Sequence, residues 1–214
     1  MSVFRSGNWL GRSEGLSVGD GSTNPARLAV LLSGSGRSLE NLIEHIERGT
    51  LDASIAVVVG SRECLGVEKA KAAGIPALVF DGGIGGADLD RVCAEYRIDW
   101  VILAGYLKLV PMTDAVRGRV INIHPSLLPA FGGKGMHGMH VHRAVVEAAK
   151  IGKVSETGCT VHFADEEFDR GTIIEQRRCA VHAEDSAEDV AARVFALECD
   201  CLPSAIQSVI DGAG

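Results

Sequence analysis

The feature that most constrains the fold of this chain is an alternation, from Arg27 onward, of short apolar runs with segments of helical periodicity. The apolar runs, each of strand length, lie at 28–32, 55–59, 77–80, 100–103 and 120–123. The helical patterns between them lie at 38–48, 65–73 and 88–96. Continuous apolar strands separated by helices indicate parallel strands that are covered on both faces. With right-handed crossovers they predict an α/β fold: a Rossmann-like open, mostly parallel sheet with helices on both faces.

The rest of the chain follows a looser pattern. We predict four further elements, namely a helix at 141–149, strands at 158–163 and 173–181, and a long amphipathic helix at 187–210. Asp185 or Ser186 is a candidate N-cap for the last helix, and the Asp189 carboxylate can reach back to it. Residues 1–25 are rich in Gly and Ser and predict a flexible leader. No repeat or linker divides residues 26–214, which we expect to form a single domain.

The charge pattern argues against a nucleic-acid partner. The 214 residues carry a formal net charge of −7, whereas affinity for nucleic acid comes largely from clustered cations that neutralise phosphates. No apolar stretch approaches the roughly 18 residues needed to span a bilayer, so we expect no membrane partner either. The six cysteines form no CxxC pair, and no secretory signal precedes them. These features predict reduced thiols and a cytoplasmic protein.

A glycine loop follows the first predicted strand and opens a helix. It reads Ser33-Gly34-Ser35-Gly36-Arg37-Ser38. Glycines allow a tight turn, and a helix N-terminus favours an anion. The spacing does not match GxGxxG, because Leu39 stands where the third Gly would be, nor does it match GxxxxGK(S/T), so a dinucleotide or a nucleoside triphosphate is disfavoured. A phosphate monoester fits the loop, and a simple strand-to-helix turn is the alternative.

An Asn-Ile-His-Pro segment marks the end of the fifth predicted strand. Asn122 and His124 are two residues apart, so their side chains leave the strand on the same side. Pro125 stops the strand, which leaves both polar groups at its carboxyl end, where open α/β sheets place their sites. An amide NH₂ beside an imidazolium can hold a developing oxyanion, and an imidazole can transfer a proton near neutral pH. The alternative is that both side chains cap backbone groups at the strand end.

The chain resembles the folate-dependent formyltransferases, and among them the glycinamide ribonucleotide transformylases. The segments that carry the resemblance are 33–36 (SGSG), 103–109 (LAGYLKL), 122–129 (NIHPSLLP), 158–163 (GCTVHF) and 169–176 (DRGTIIEQ). They occur in the family's order and extend the likeness over residues 27 to about 210. The resemblance implies transfer of the formyl group of 10-formyltetrahydrofolate to the amine of N1-(5-phosphoribosyl)glycinamide, a step of purine synthesis.

The resemblance also implies which side chains act. Asn122 and protonated His124 would stabilise negative charge on the formyl oxygen, and a lost donor of this kind costs roughly 2.7–4 kcal/mol of transition-state stabilisation. Asp169 would favour the charged imidazole and relay the proton that leaves the amine. No covalent intermediate with the enzyme is needed, because the amine is itself the nucleophile.

The ligand-binding residues follow from the same motif match. For the ribonucleotide they are Gly36, Arg37, Ser38 and, on the last helix, Glu198. For folate they are Leu107, Lys108, Leu109, Val110, Ala164, Asp165, Glu166 and Asp169. We predict no metal: His137, His140 and His142 invite a metal site, but no Cys or carboxylate stands near them at ligand spacing. His162 lies in an apolar strand and is interpreted as structural.

The sequence departs from the family pattern at several positions. Ser35 and Ser38 stand where the family usually has Asn, and Thr172 replaces a Pro. The segment 81–87 is shorter and Gly-rich, so an Arg that often meets folate there has no counterpart. The segment 131–139 is longer than in compact members, and its glycines suggest a mobile lid.

Three other functions are alternatives to formyl transfer onto the ribonucleotide. A relative that formylates initiator methionyl-tRNA has a similar Asn-x-His-Pro segment, but it carries a further C-terminal domain for tRNA. A relative that hydrolyses formyltetrahydrofolate carries an N-terminal regulatory domain. A silent phosphate- or folate-binding module is disfavoured by the intact Asn122, His124 and Asp169. The expected partners are therefore small molecules, and the expected assembly is a monomer or a homodimer.

Overall fold

The computed structural model describes residues 24–212, and most of the predicted leader, residues 1–23, lies outside this range. Twelve elements follow one another within it: β1 (Ala26–Leu32), α1 (Arg37–Glu47), β2 (Ala53–Gly60), α2 (Leu65–Ala72), β3 (Ala77–Val79), α3 (Gly86–Glu95), β4 (Trp100–Leu103), β5 (Val120–His124), α4 (Met139–Lys150), β6 (Glu156–Phe163), β7 (Ile173–Ala180) and α5 (Ala187–Gly212). Each predicted strand and helix is present, and its bounds differ from the prediction by at most two residues.

All seven strands form one sheet in the order β3-β2-β1-β4-β5-β6-β7. The first five strands in sequence are parallel to one another. Strand β6 runs antiparallel to β5, and β7 runs antiparallel to β6. The prediction of a Rossmann-like, mostly parallel α/β sheet is thus confirmed. The chain leaves β1 toward β2 and later returns to β4 on the other side of β1, so the sheet has its topological switch point between β1 and β4.

Strand β1 shows why these apolar runs become buried strands. Its side chains alternate between two cores: Leu28, Val30 and Leu32 face a core with α1, α2, α4 and α5. Ala29 and Leu31 face a second core formed with α3 and the segment after β4. All five residues are fully buried. A run without polar residues therefore supplies apolar side chains to both faces of the sheet.

The N-terminus of α5 is fixed by a reciprocal pair of hydrogen bonds. The Asp189 N–H donates to Ser186 Oγ at 3.1 Å, and the Ser186 N–H donates to Asp189 Oδ2 at 3.0 Å. This is a capping box, so the cap is Ser186 rather than Asp185. Asp185 instead pairs with Arg193, at 2.9 Å. Within residues 24–212, none of the helices has the length and hydropathy of a membrane-spanning segment.

Candidate active site

The carboxyl ends of β1, β4 and β5 open into a cavity of about 650 Å³ beside the switch point. The loop after β1 and the segment after β4 form two of its walls. The glycine-rich loop 131–139, the segment 164–169 and helix α5 complete it. This is where open α/β sheets bind ligands, because loops diverge there from a rigid edge.

Asn122 lies on β5 and is paired with His162 on the neighbouring β6. Its Nδ2 donates to His162 Nε2 at 3.0 Å and to Asp169 Oδ1 at 3.4 Å. His162 Nδ1 in turn donates to the carbonyl oxygen of Phe163 at 2.9 Å, so Nε2 is left as an acceptor. The interpretation of His162 as merely structural was incomplete, because its ring orients the Asn122 amide and lines the cavity.

His124, at the end of β5, faces two acceptors. Its Nδ1 lies 3.4 Å from Asp169 Oδ1, and its Nε2 lies 2.9 Å from the carbonyl oxygen of Phe131. The residue is only 3% exposed. A carbonyl and a carboxylate can only accept hydrogen bonds, which suits an imidazole ring protonated on both nitrogens.

Asp169 joins the two polar groups of β5 to the glycine-rich loop. It has a left-handed backbone, with φ 58°, and its Oδ2 accepts a hydrogen bond of 2.8 Å from the Gly133 N–H. Burial opposes ionisation of this carboxyl group, but hydrogen bonds from His124 and from the Gly133 N–H outweigh burial and hold its pKa well below the usual range. Asp169 is therefore a carboxylate at neutral pH.

The loop after β1 turns tightly at Gly36, whose φ is 72°. A Cβ there would lie 2.6 Å from the Cα of Gly66, so only glycine fits. The next residue, Arg37, begins α1 and places its guanidinium 3.4 Å from the centroid of the Phe195 ring. This stacking holds a cation at the cavity wall. Gly36, Arg37 and Ser38, which the sequence predicts as ribonucleotide-binding residues, all line the cavity.

Glu198 reaches the same wall from α5. Burial raises the pKa of its carboxyl group to about 7, and the charge of Arg37 opposes this shift. Burial thus favours the neutral form of this carboxyl group. A neighbouring anion or hydroxyl group would change the protonation of Glu198, so this protonation depends on whether a ligand is bound.

The predicted folate side is largely apolar. Leu107, Lys108, Leu109 and Val110 line the cavity after β4, and Leu109 is 49% exposed at its mouth. Ala164, Asp165 and Asp169 line the opposite wall. The structure departs from the prediction at Glu166, which does not line the cavity. Its side chain, 71% exposed, points outward and pairs with Arg117 at 3.1 Å. Glu167 and Phe168 line the cavity instead.

The three histidines considered as metal ligands do not meet. His137 and His140 stack edge to face, with ring centroids 5.4 Å apart. His142 is buried, and its burial together with the charge of His124 lowers its pKa. Across the described part of the chain, no group of three His, Cys, Asp or Glu side chains is arranged to hold a metal ion.

Phe195 is a further contributor to the cavity that was missed from the sequence. Phe195 was not singled out, although it stands three residues before Glu198 and four after Ala191, a spacing that puts the three on one face of α5. All three line the cavity. The spacing was a usable signal, but it cannot reveal that Arg37 stacks on the ring, because the two residues are 158 positions apart.

The sequence profile of the family described as formyl transferase matches residues 26–206. The chain belongs to the formyl transferase family. The match includes all seven strands of the sheet and most of α5, so the family extends over the whole cavity described above.

Several relatives of the chain are enzymes with named activities. A chloroplastic phosphoribosylglycinamide formyltransferase of Arabidopsis thaliana is 40% identical over 82% of this chain and 63% of its own length. The phosphoribosylglycinamide formyltransferase of Haemophilus influenzae is 33% identical over 87% of this chain and 88% of its own length. A trifunctional purine biosynthetic protein of Gallus gallus is 38% identical, but this chain spans only 19% of it. The chain thus spans less than two thirds of the plant and animal relatives.

Solved structures share the formyl transferase fold. A glycinamide ribonucleotide transformylase from Symbiobacterium toebii superposes with a TM-score of 0.77 at 36% identity, over 88% of this chain and 89% of that one. A phosphoribosylglycinamide formyltransferase from Bacillus halodurans superposes with a TM-score of 0.77 at 31% identity, over 88% and 97% of the two chains.

Proposed function

We propose that this chain transfers the formyl group of 10-formyltetrahydrofolate to the amine of N1-(5-phosphoribosyl)glycinamide, in purine biosynthesis. The observation that carries the proposal is that Asn122, His124 and Asp169 meet at one edge of a cavity large enough for two small molecules. The bacterial and plant relatives are both named phosphoribosylglycinamide formyltransferases, which supports the ribonucleotide as the formyl acceptor. The folate donor is supported by the apolar wall after β4.

The reaction is a direct transfer. The ribonucleotide amine attacks the formyl carbon, a new N–C bond forms, and the carbonyl becomes an oxyanion. Collapse of this intermediate breaks the bond between the formyl carbon and the folate nitrogen, which takes up the proton lost by the amine. An enzyme accelerates such a step mainly by stabilising the oxyanion and by aligning the two reactants.

His124 would be the main donor to the oxyanion. In the proposed complex the formyl oxygen replaces the Phe131 carbonyl as the acceptor for His124 Nε2, while Asp169 keeps its place at Nδ1. A carboxylate that remains ionised favours the imidazolium and so strengthens that donor.

Asn122 would supply a second donor. Its NH₂ already makes a 3.0 Å hydrogen bond to His162 and a longer contact of 3.4 Å to Asp169. The longer contact is the one that the formyl oxygen would replace. The shorter bond would keep the amide oriented during this exchange, so His162 supports the role of Asn122 without meeting the reacting carbon.

The two ligands would occupy opposite ends of the cavity. The phosphate of the ribonucleotide would bind at Gly36, Arg37 and Ser38, where backbone N–H groups open α1 and the Arg37 cation lies on Phe195. Ionised Glu198 would accept hydrogen bonds from the ribose hydroxyls. Folate would lie along Leu107, Leu109 and Phe168, whose apolar surfaces are exposed in the absence of a ligand.

Several properties stay predictions. We propose that the protein works in the cytoplasm as a monomer or homodimer, without a metal and without a nucleic-acid or membrane partner. The support is the scattered charge and the six cysteines without a CxxC pair. Mobility of the loop 131–139 also stays a prediction: Phe131 and Gly133 tie its start to His124 and Asp169.

The proposal is tested by a two-arm assay with three distinguishable outcomes. Protein is mixed with 10-formyltetrahydrofolate, with or without N1-(5-phosphoribosyl)glycinamide, and deformylated folate is followed by absorbance. We expect turnover only with the ribonucleotide. Turnover without it would indicate a hydrolase, and binding of both ligands without turnover would indicate a binding module. His124→Ala serves as the inactive variant and His45→Ala, remote from the cavity, as its matched control.

A further inference from the structure

We propose that Ser33, which does not line the cavity, is a positioning residue that sets the spacing between the two ligand-binding loops. The first loop, residues 34–38, is the proposed phosphate loop, and the second, residues 104–110, is the proposed folate loop. The inference rests on the proposed function for the identity of the two ligands. The hydrogen bonds by which Ser33 links the two loops do not depend on which ligands bind there.

Ser33 follows directly on β1 and is 2% exposed. Its N–H donates to the carbonyl oxygen of Gly105 at 3.1 Å. Its Oγ accepts a hydrogen bond of 3.0 Å from the Leu107 N–H. The last paired residues of β1 and β4 are Leu31 and Leu103. Ser33 thus extends the contact between the two strands by two hydrogen bonds beyond this pair. One of these bonds uses its backbone and the other its side chain.

Two more bonds fix Ser33 from the other side of β1. Its Oγ lies 2.7 Å from Ser61 Oγ, just after β2. Its carbonyl oxygen accepts a hydrogen bond of 2.9 Å from Arg62 Nε. The residue therefore joins the ends of β2, β1 and β4 at the switch point, where consecutive parallel strands would otherwise part.

A smaller side chain at position 33 would lose the hydrogen bonds of Ser33 Oγ to both Ser61 and Leu107. The Leu107 N–H would then lack its partner within the protein. The part of the folate loop at Leu107, a residue that is 44% exposed, would then be able to shift toward solvent, while the neighbouring Tyr106 stays anchored by the hydrogen bond that its hydroxyl accepts from the Ile84 N–H at 2.9 Å. The ends of the cavity would move apart although no residue that touches a ligand had changed.

Such a shift acts on the alignment of the reactants. Formyl transfer requires the amine and the formyl carbon to be held about 3–3.5 Å apart, and a displacement of about 1 Å can cost on the order of 100-fold in rate. Each ligand would still find its own loop intact. Loss of Ser33 Oγ should therefore lower kcat while changing the affinity for either ligand alone very little.

The kinetic test compares Ser33→Ala with Ser61→Ala, which removes the other hydroxyl of the same pair but leaves Leu107 bonded. We expect kcat to fall about 10- to 100-fold in Ser33→Ala, with Kd for each ligand alone within about threefold of wild type. Ser61→Ala should keep kcat within about threefold. Ser33→Cys, which retains a weak acceptor, should recover part of the loss. Equal kcat in the two alanine variants would overturn the proposal, and so would a loss explained wholly by weaker binding of one ligand.

A second measurement separates this proposal from the proposed function. Amide hydrogen exchange in the unliganded protein should accelerate at least tenfold at Leu107 in Ser33→Ala and stay unchanged in Ser61→Ala. If wild type shows no formyl transfer but this contrast appears, the activity is refuted and the link between the loops stands. If wild type is active and Leu107 exchanges equally in both variants, the link is refuted alone.

Discussion

The backbone N–H of Gly133 donates a 2.8 Å hydrogen bond to Asp169 Oδ2, while the other oxygen of the same carboxylate lies 3.4 Å from His124 Nδ1. One side chain thus holds both the glycine-rich loop and the imidazole proposed to bind the formyl oxygen. Any change at Asp169 acts on charge and on loop position together.

Asp169→Asn should separate those two effects. An amide oxygen can still accept from Gly133, but the negative charge that favours the imidazolium is gone. We expect kcat to fall about 100- to 1,000-fold, in line with the loss of a preorganised electrostatic group, while the melting temperature changes little. Glu166→Gln is the matched control, since that carboxylate lies in the same segment but outside the cavity. Wild-type kcat in Asp169→Asn would remove the carboxylate from the mechanism.

Arg37→Ala should weaken ribonucleotide binding without affecting chemistry. The change removes the cation stacked on Phe195 but leaves the backbone N–H groups of the phosphate loop. We expect KM for the ribonucleotide to rise about tenfold, equivalent to about 1.4 kcal/mol, with kcat within about twofold. Steady-state kinetics at saturating folate measures both. Arg48→Ala, at the exposed far end of the same helix, is the control, and a KM unchanged in Arg37→Ala would place the phosphate elsewhere.

Glu198→Gln should change how stability depends on pH. Burial raises the pKa of Glu198 in the folded protein to about 7, above the usual value of 4.5 for a glutamate, so the folded protein binds this proton more tightly than the unfolded chain does. The stabilisation is fully present below about pH 4.5 and is lost as pH rises through about 7, by about 1.4 kcal/mol for each unit of pKa difference. The unfolding free energy of wild type should therefore fall relative to Glu198→Gln over this interval in urea titrations. A constant difference would contradict the raised pKa, and Asp200→Asn provides the exposed control.

Ser186→Ala should destabilise the whole protein modestly. It removes the acceptor for the Asp189 N–H, and loss of a cap of this kind costs about 1 kcal/mol. Urea denaturation measures the change, and Ser186→Asn, which retains a capping side chain, should recover most of it. Equal stability of the two variants would show that the capping box contributes nothing.

The sequence was sufficient for the order and type of the elements because local pattern determines them. The run 100–103, for example, is recognisable from its apolar content alone. The two antiparallel strands could be located but not paired, since pairing depends on contacts between distant segments. The bounds of a helix differ from the prediction where a turn extends the helix. Helix α4 begins at Met139 rather than at the predicted residue 141, because the preceding loop ends on Gly138 with φ 52°.

Motifs in the sequence predicted the residues of the candidate site. They did not predict the hydrogen bonds that connect these residues. Asn122, His124 and Asp169 were identified from the segments that contain them, and the structure brings them together. The bonds from Gly133 to Asp169 and from Ser33 to Leu107 join residues 36 and 74 positions apart, which no local pattern encodes. Glu166 shows the converse limit: a run of acidic residues does not reveal which side chain turns inward.

The pairing of β5 with β6 puts Asn122 directly opposite His162. Since side chains alternate along a strand, a slip of one residue would bring Val161 or Phe163 to face the amide and turn the imidazole to the other side of the sheet. The chemistry at this edge is thus assembled by strand registration itself. Recovery of enzymatic rate during refolding should consequently report when these two strands have found their correct alignment.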